Sequence, residues 1–234
     1  MRRLALNPEL RAGARAGLPF AVAAFVLAIS FGVLAEPLMG PGAAVAMSTF
    51  VFAGSAQFGA TAVLASGGGA VAAILAGVLL NARYVPMGIA LAPSLRGGPL
   101  RRALYGQAMI DASWAMANLG DGRYDPDFMV GATLVSLPAW IAGTALGAFG
   151  GNLISDPEAL GFDVMFPAFF LALLANELRS GRARGAAAIG AVVALVLIPI
   201  APPGVPVIAA SSAALLGLFG PGSAGEPNPK ESDV

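Results

Sequence analysis

The chain has 234 residues, of which 57% are hydrophobic and only 11% charged, with 13 basic residues balancing 13 acidic ones. A soluble domain carries about 25% charge, so the deficit and a mean hydropathy of +0.79 place the chain in a bilayer, and the zero net charge argues against nucleic acid as a partner. With no cysteine and no histidine there is no disulfide frame, no thiol chemistry and no usual zinc ligand or neutral-pH proton shuttle.

Arg2, Arg3, Arg11 and Arg15 precede the first apolar run, Leu18–Met39. That run exceeds the roughly 7–15 residues of a signal-peptide core, so the sequence predicts a retained first membrane segment whose start is cytoplasmic. Seven further apolar segments follow: Val45–Ala65, Ala70–Ala92, Ala103–Leu119, Phe128–Phe149, Phe162–Leu178, Ala186–Ala201 and Val205–Phe219. The last two fall short of the roughly 20 residues of a square crossing. The expected fold is an all-α polytopic membrane protein of seven or eight segments. Residues 1–220 are expected to form one transmembrane domain, and the Pro-, Gly- and charge-rich tail 221–234 to be disordered.

Gly and Pro inside the segments predict that some helices are broken or re-entrant, since freed backbone groups are tolerated only where protein or a water cavity satisfies them. The loops predict the same. Arg96, Arg101 and Arg102 mark one cytoplasmic loop, and Arg179, Arg182 and Arg184 mark another. Three segments separate the amino terminus from the first loop and three more separate the two loops. An odd number of full crossings cannot return to one side, so either the charge rule fails here or one segment in each group is split or re-entrant; the second account is favoured because the anomaly occurs twice. Phe31-Gly32-Val33-Leu34 with Met47-Ser48-Thr49-Phe50 can be laid against Leu146-Gly147-Ala148-Phe149 with Phe162-Asp163-Val164-Met165, which suggests an internal repeat; chance likeness of Ala/Gly/Leu-rich segments explains it equally well.

Two charges inside apolar runs are the main candidates for function. Arg83 lies in Ala70–Ala92 and Asp111 in Ala103–Leu119. A charge at the centre of a membrane helix costs about 2.5–3.5 kcal/mol on insertion scales, so such residues face one another, a bundle interior or a wet path. Arg83 presents a fork for a carboxylate, either that of Asp111 or that of a substrate. Asp111 is open to two readings, counter-ion or proton carrier, and the pair to a third, a fixed structural bridge. Asn81 accompanies Arg83 as a second polar residue in mid-run, and Pro86 removes a helix hydrogen bond beside it. In Phe52-Ala53-Gly54-Ser55-Ala56-Gln57-Phe58, Ser55 and Gln57 lie two apart and point to different faces of a continuous helix. A break permitted by Gly54 would let both address one cavity; otherwise Gly54 and Ser55 are small packing residues and Gln57 bonds across an interface. The candidate substrate-binding set is therefore Ser55, Gln57, Asn81, Arg83 and Asp111. The candidate helix-break residues are Gly54, Pro86 and Pro167. Asp163 opens its segment as a helix cap, Trp114 reads as packing or as a pocket wall, and Asp121, Asp125 and Asp127 match only a fragment of a calcium loop. No catalytic set, phosphate loop, metal cluster or cofactor motif is present, so an enzyme is not expected.

These stretches carry a resemblance. Leu18-Pro19-Phe20, Phe31-Gly32-Val33-Leu34-Ala35, Met47-Ser48, the Phe52–Phe58 motif, Asn81-Ala82-Arg83-Tyr84, Asp111, and Leu160-Gly161-Phe162-Asp163 with Phe166-Pro167-Ala168 together resemble the AzlC-type branched-chain amino acid permeases, in order and spacing over most of Leu18–Leu178. The chain departs where the family often reads Thr-Asp-Glu: here it is Ile110-Asp111-Ala112, which lacks the second carboxylate. The resemblance implies an exporter of branched-chain amino acids in the bacterial cytoplasmic membrane, working with a small AzlD-type membrane partner. The alternative is a non-transporting scaffold subunit whose polar residues only hold helices together.

Overall fold

The computed structural model describes residues 7–120, 122–151, 181–201 and 205–211, with positions 168, 171, 174, 175 and 178 between. Asp163, Pro167, Arg179, the Phe162–Leu178 segment as a whole and the tail 221–234 fall outside the described residues or largely so.

The first helix, α1, spans Pro8–Met39 and begins ten residues before the apolar run. Asn7 caps it by accepting from Glu9 N–H, and Pro8 occupies the first helical position, where its missing N–H costs nothing. It pairs lengthwise with α8, Pro126–Gly150, whose cap is Asp125. The two run parallel: Asn7 Nδ2 donates to Asp127 Oδ2 at 2.7 Å where both begin, and contacts then climb together from Gly13 with Phe128, through Gly17 with Ala132, to Gly32 with Thr144. Glycines on both helices set the approach. A methyl group on Gly13 would run into the carbonyl of Phe128, and one on Gly147 into that of Ile29. Lipid offers no hydrophobic drive for helix association, so close backbone packing over small residues holds such a pair. The first stretches of the suggested repeat therefore occupy matching places, with Gly32 and Gly147 facing each other's helix; the second stretch of the later copy lies outside the described residues.

The expected segment Val45–Ala65 is split. α2 covers Pro41–Phe50 and α3 covers Gly54–Ala65. The break falls at Val51–Ala53, just before Gly54 rather than at it; the Gly54 face is packed against the Trp140 ring, where an added Cβ would lie 3.0 Å away. Phe52 carries the conformational cost, with φ +42°, a left-handed geometry that bulky residues avoid. α3 then returns toward the end where α1 finishes. Met47 and Leu64 pack on one cluster of Ala60, Val63, Ala73 and Ala76, and Met39, Leu64 and Ala70 line one groove.

Segment Ala70–Ala92 is interrupted as well, into α4 (Ala70–Asn81) and α5 (Tyr84–Leu91), followed by a short 3₁₀ turn, Ala92–Ser94. Ala82 and Arg83 keep right-handed backbone angles, so the chain loosens here without turning back. Pro86 sits in the first turn of α5, where a proline is tolerated. Leu91 at the far end packs with Tyr124 and Met129, near the beginning of α8.

The expected segment Ala103–Leu119 is not one helix. α6 (Pro99–Gln107) and α7 (Asp111–Met116) are separated at Ala108–Ile110, and the chain continues into a small antiparallel hairpin of β1 (Asn118–Gly120) and β2 (Arg123–Tyr124). α6 is short and amphipathic, with Leu100 and Leu104 exposed on one side and Arg101, Arg102 and Tyr105 on the other. Tyr105 O–H donates to Asp127 Oδ1 at 2.8 Å, which places the Arg96–Arg102 loop at the same end as the start of α1. Two further helices, Gly181–Leu197 and Val205–Ser211, are described. Among the described residues, Pro8–Met39, Ala70–Ser94 and Pro126–Gly150 are long and apolar enough to cross a membrane.

Candidate functional site

The three helix breaks converge, and Arg83 joins them. Its Nε donates to Asp111 Oδ1 at 2.9 Å and its Nη2 to Asp111 Oδ2 at 2.8 Å, a two-pronged grip on the first residue of α7. Nη2 also donates to Ser55 Oγ at 2.7 Å, in the first turn of α3, and Nη1 to the Leu80 carbonyl at 3.3 Å. The Tyr84 hydroxyl stands 3.5 Å from Asp111 Oδ2, and the guanidinium lies 5.2 Å from the Tyr84 ring centre. The charges the sequence singles out are thus a real pair, close to the middle of the stretch Ala70–Ser94.

The pair is not sealed. The Arg83 side chain is 33% exposed and that of Asp111 55%, and both open on a cavity of about 620 Å³. Phe20, Leu27, Phe52 and Trp140 give it apolar walls, while Ser55, Ser136, Arg83 and Asp111 supply polar groups. Its size falls within the roughly 300–1,000 Å³ of small-molecule sites, which are likewise mostly apolar with a few convergent polar groups. One side of it can take a carboxylate and an ammonium, the other an aliphatic side chain.

Side chains satisfy the backbone groups that the breaks release. The Ala108 carbonyl accepts from Ser113 Oγ at 2.9 Å and from Thr133 Oγ1 at 2.6 Å. The Phe50 carbonyl accepts from Gln107 Nε2 at 3.3 Å; inside α5, away from the breaks, the Met87 carbonyl accepts from Trp114 Nε1 at 3.3 Å. Trp114, stacked near Tyr124, is therefore packing rather than a wall of this cavity. Asp125 caps α8 by accepting from the N–H groups of Asp127 and Phe128, which accounts for one of the acids of the calcium-loop fragment.

Of the five candidate substrate residues, Ser55, Arg83 and Asp111 come together. Gln57 does not join them. It is fully buried behind the cavity wall, where its Nε2 donates to Ser48 Oγ at 2.9 Å and its Oε1 accepts from Trp140 Nε1 at 3.0 Å. Ser48 in turn bonds Thr144 Oγ1 at 2.7 Å, so one closed network ties α2, α3 and α8 together. Phe31, Phe58 and Trp140 pack edge to face around it. Asn81 lies elsewhere too, along the apolar groove outside α3 and α4, with its Oδ1 buried and unbonded. The Ser48–Thr144 and Gln57–Trp140 contacts escape sequence reasoning, because the partners lie on different helices and are set by packing. The signal that could have found the α1–α8 contact is the four-residue spacing of Gly13 with Gly17 and of Gly143 with Gly147.

Helices broken in mid-membrane around a pocket with convergent polar groups are an architecture of membrane transport proteins. The comparisons agree with that class. The model of the AzlC protein family matches residues 19–154. The chain is 31% identical over 178 residues to the inner membrane protein YgaZ of Escherichia coli strain K12, covering 69% of this chain and 70% of that one. It is 31% identical over 221 residues to an uncharacterized membrane protein of Archaeoglobus fulgidus, covering 92% and 97%. It is 25% identical over 178 residues to the branched-chain amino acid transport protein AzlC of Bacillus subtilis strain 168, covering 72% and 69%. No solved structure matches. The chain belongs to the AzlC family and is a membrane protein with a transport-related function.

Proposed function

We propose that this protein exports small apolar amino acids, the branched-chain ones above all, across the bacterial cytoplasmic membrane. The observation that carries the reading is the open Arg83–Asp111–Ser55 cluster at the meeting of three helix breaks. A zwitterionic substrate replaces the ion pair with itself: its carboxylate takes the Arg83 fork and the Ser55 hydroxyl, and its ammonium takes Asp111. Phe20, Leu27, Phe52 and Trp140 receive the aliphatic side chain. The exchange keeps both protein charges compensated throughout, which membrane burial requires. In this reading Gln57 acts on the substrate only through Trp140, and Asn81 faces the outer groove.

Residues 1–220 act as one transmembrane domain, with the amino terminus and the basic loops Arg96–Arg102 and Arg179–Arg184 in the cytoplasm. The return of α3 toward the end where α1 finishes supports this, since a re-entrant α2–α3 removes one crossing from the odd count. A small AzlD-type membrane protein completes the exporter, as the family resemblance implies. The test is efflux of labelled leucine, isoleucine, valine and methionine from preloaded cells with and without the protein and such a partner. Faster efflux of the branched-chain substrates is expected when the protein and partner are present; efflux identical with and without them would refute the reading.

A further inference from the structure

At the end of the molecule where α1 and α8 begin, a second open cavity of about 660 Å³ lies between the Arg96–Arg102 loop and the β1–β2 hairpin. Arg96, Arg101 and Arg123 line it. Arg96 donates to no protein group among the described residues. Arg101 commits only Nη2, to the Tyr105 hydroxyl at 3.1 Å, with its guanidinium 5.6 Å from that ring. Two acids also line the cavity, but the structure already employs both. Asp125 Oδ1 caps α8, while the two oxygens of Asp127 accept from Tyr105 and Asn7. Arg96 and Arg101 therefore have N–H donors to spare.

Arg101, Tyr105 and Asp127 also line a neighbouring groove of about 420 Å³. This one is apolar. It follows Val130, Leu134 and Leu137 down one side of α8, a run of about 10 Å into the membrane, with Leu10 and Leu104 on its edges. A basic recess joined at Arg101 to an apolar groove has the two-part chemistry of a phospholipid. α6, which lines both, starts in the basic loop with Arg101 and Arg102 in its first turn and ends at Gln107, whose Nε2 reaches the Phe50 carbonyl.

We propose that this surface is a binding site for an anionic phospholipid, with the headgroup phosphate held by Arg96 and Arg101 and an acyl chain along Val130–Leu137. Basic recesses between membrane helices recognise anionic headgroups in this way. The groove is what favours a lipid over a free phosphate, which has no use for it. The lipid bridges α6 and α8, and so braces the element that leads into Asp111. The inference is independent of which substrate the central cavity carries.

The test uses the full chain, purified, delipidated and returned to phosphatidylcholine bilayers with or without phosphatidylglycerol, with bound lipid counted by native mass spectrometry. The wild type should retain phosphatidylglycerol in preference to phosphatidylcholine. Arg96→Gln with Arg101→Gln should weaken that retention about tenfold, equivalent to 1.4 kcal/mol. Arg96→Gln alone leaves no protein group unpaired and should show part of the loss in a folded protein. Leu134→Trp, which fills the groove, should also reduce retention, whereas Arg102→Gln, whose side chain instead donates to the Ala92 carbonyl, should not. Equal retention by wild type and the double variant would overturn the proposal. So would displacement of the lipid by glycerol 3-phosphate at matching concentration, which would make the recess a site for soluble anions.

Discussion

Replacing Gln57 by Leu tests the closed network behind the cavity. The side chain is fully buried, and so are Ser48 and Thr144. The change removes two hydrogen bonds, but their consequences differ. Ser48 keeps Thr144 at 2.7 Å, so its hydroxyl stays satisfied. Trp140 Nε1–H loses its acceptor in a residue that is only 5% exposed. Interhelical hydrogen bonds in membranes average only about 0.6 kcal/mol each, whereas an orphaned buried donor costs about 1–3 kcal/mol. Gln57→Leu should therefore destabilise by about 2–3 kcal/mol, most of it from Trp140. Trp140→Phe removes that donor at its source. In the double variant the orphan term vanishes, so the two changes should cost at least 1 kcal/mol less together than their sum. The assay is equilibrium unfolding in detergent followed by far-UV circular dichroism, which does not depend on the lost indole. Additivity within about 0.3–0.5 kcal/mol would refute the network as a source of stability.

Two further predictions concern the frame. Gly147→Ala pushes a methyl group into the Ile29 carbonyl and the Val33 N–H, backbone atoms that cannot step aside, so α1 and α8 must part and stability should fall by at least about 1–3 kcal/mol in thermal unfolding. Gly150→Ala, where the new Cβ would have only Leu146 Cδ1 at 3.9 Å, should be close to neutral. Single cysteines placed in the Arg96–Arg102 and Arg179–Arg184 loops have no background to compete with. Both should resist an impermeant thiol reagent in intact cells and react once the membrane is opened; labelling from outside would show the topology to be wrong.

The ion pair was legible because the cost of a lone charge in lipid leaves few options: Arg83 and Asp111 stood in separate apolar runs and each needed a partner. That some helices break was legible too, from Gly, Pro and the odd count of segments between basic loops. Where they break was not. Hydropathy averages over a window, so Ala103–Leu119 read as one run although Tyr105, Gly106 and Gln107 precede a real interruption. The place of Gln57 was not legible either, since its partners Ser48, Trp140 and Thr144 lie on other helices and are chosen by packing. Gly54 illustrates both sides. Its closeness to a break was visible in the sequence, but its contact with Trp140 depends on how α3 meets α8.

The central claim is that Arg83 and Asp111 serve the substrate and are not merely a bridge. Counterflow of labelled leucine into proteoliposomes, with the AzlD-type partner present, measures this for the wild type, for Arg83→Lys and for the double change Arg83→Leu with Asp111→Leu. Lysine keeps the charge but loses the fork, and an apolar pair can replace a structural bridge without loss of fold. The account predicts that both variants reach normal abundance in the membrane and that neither carries leucine at more than about a tenth of the wild-type rate, a barrier increase of at least about 1.4 kcal/mol. Normal leucine counterflow by the double variant would contradict it.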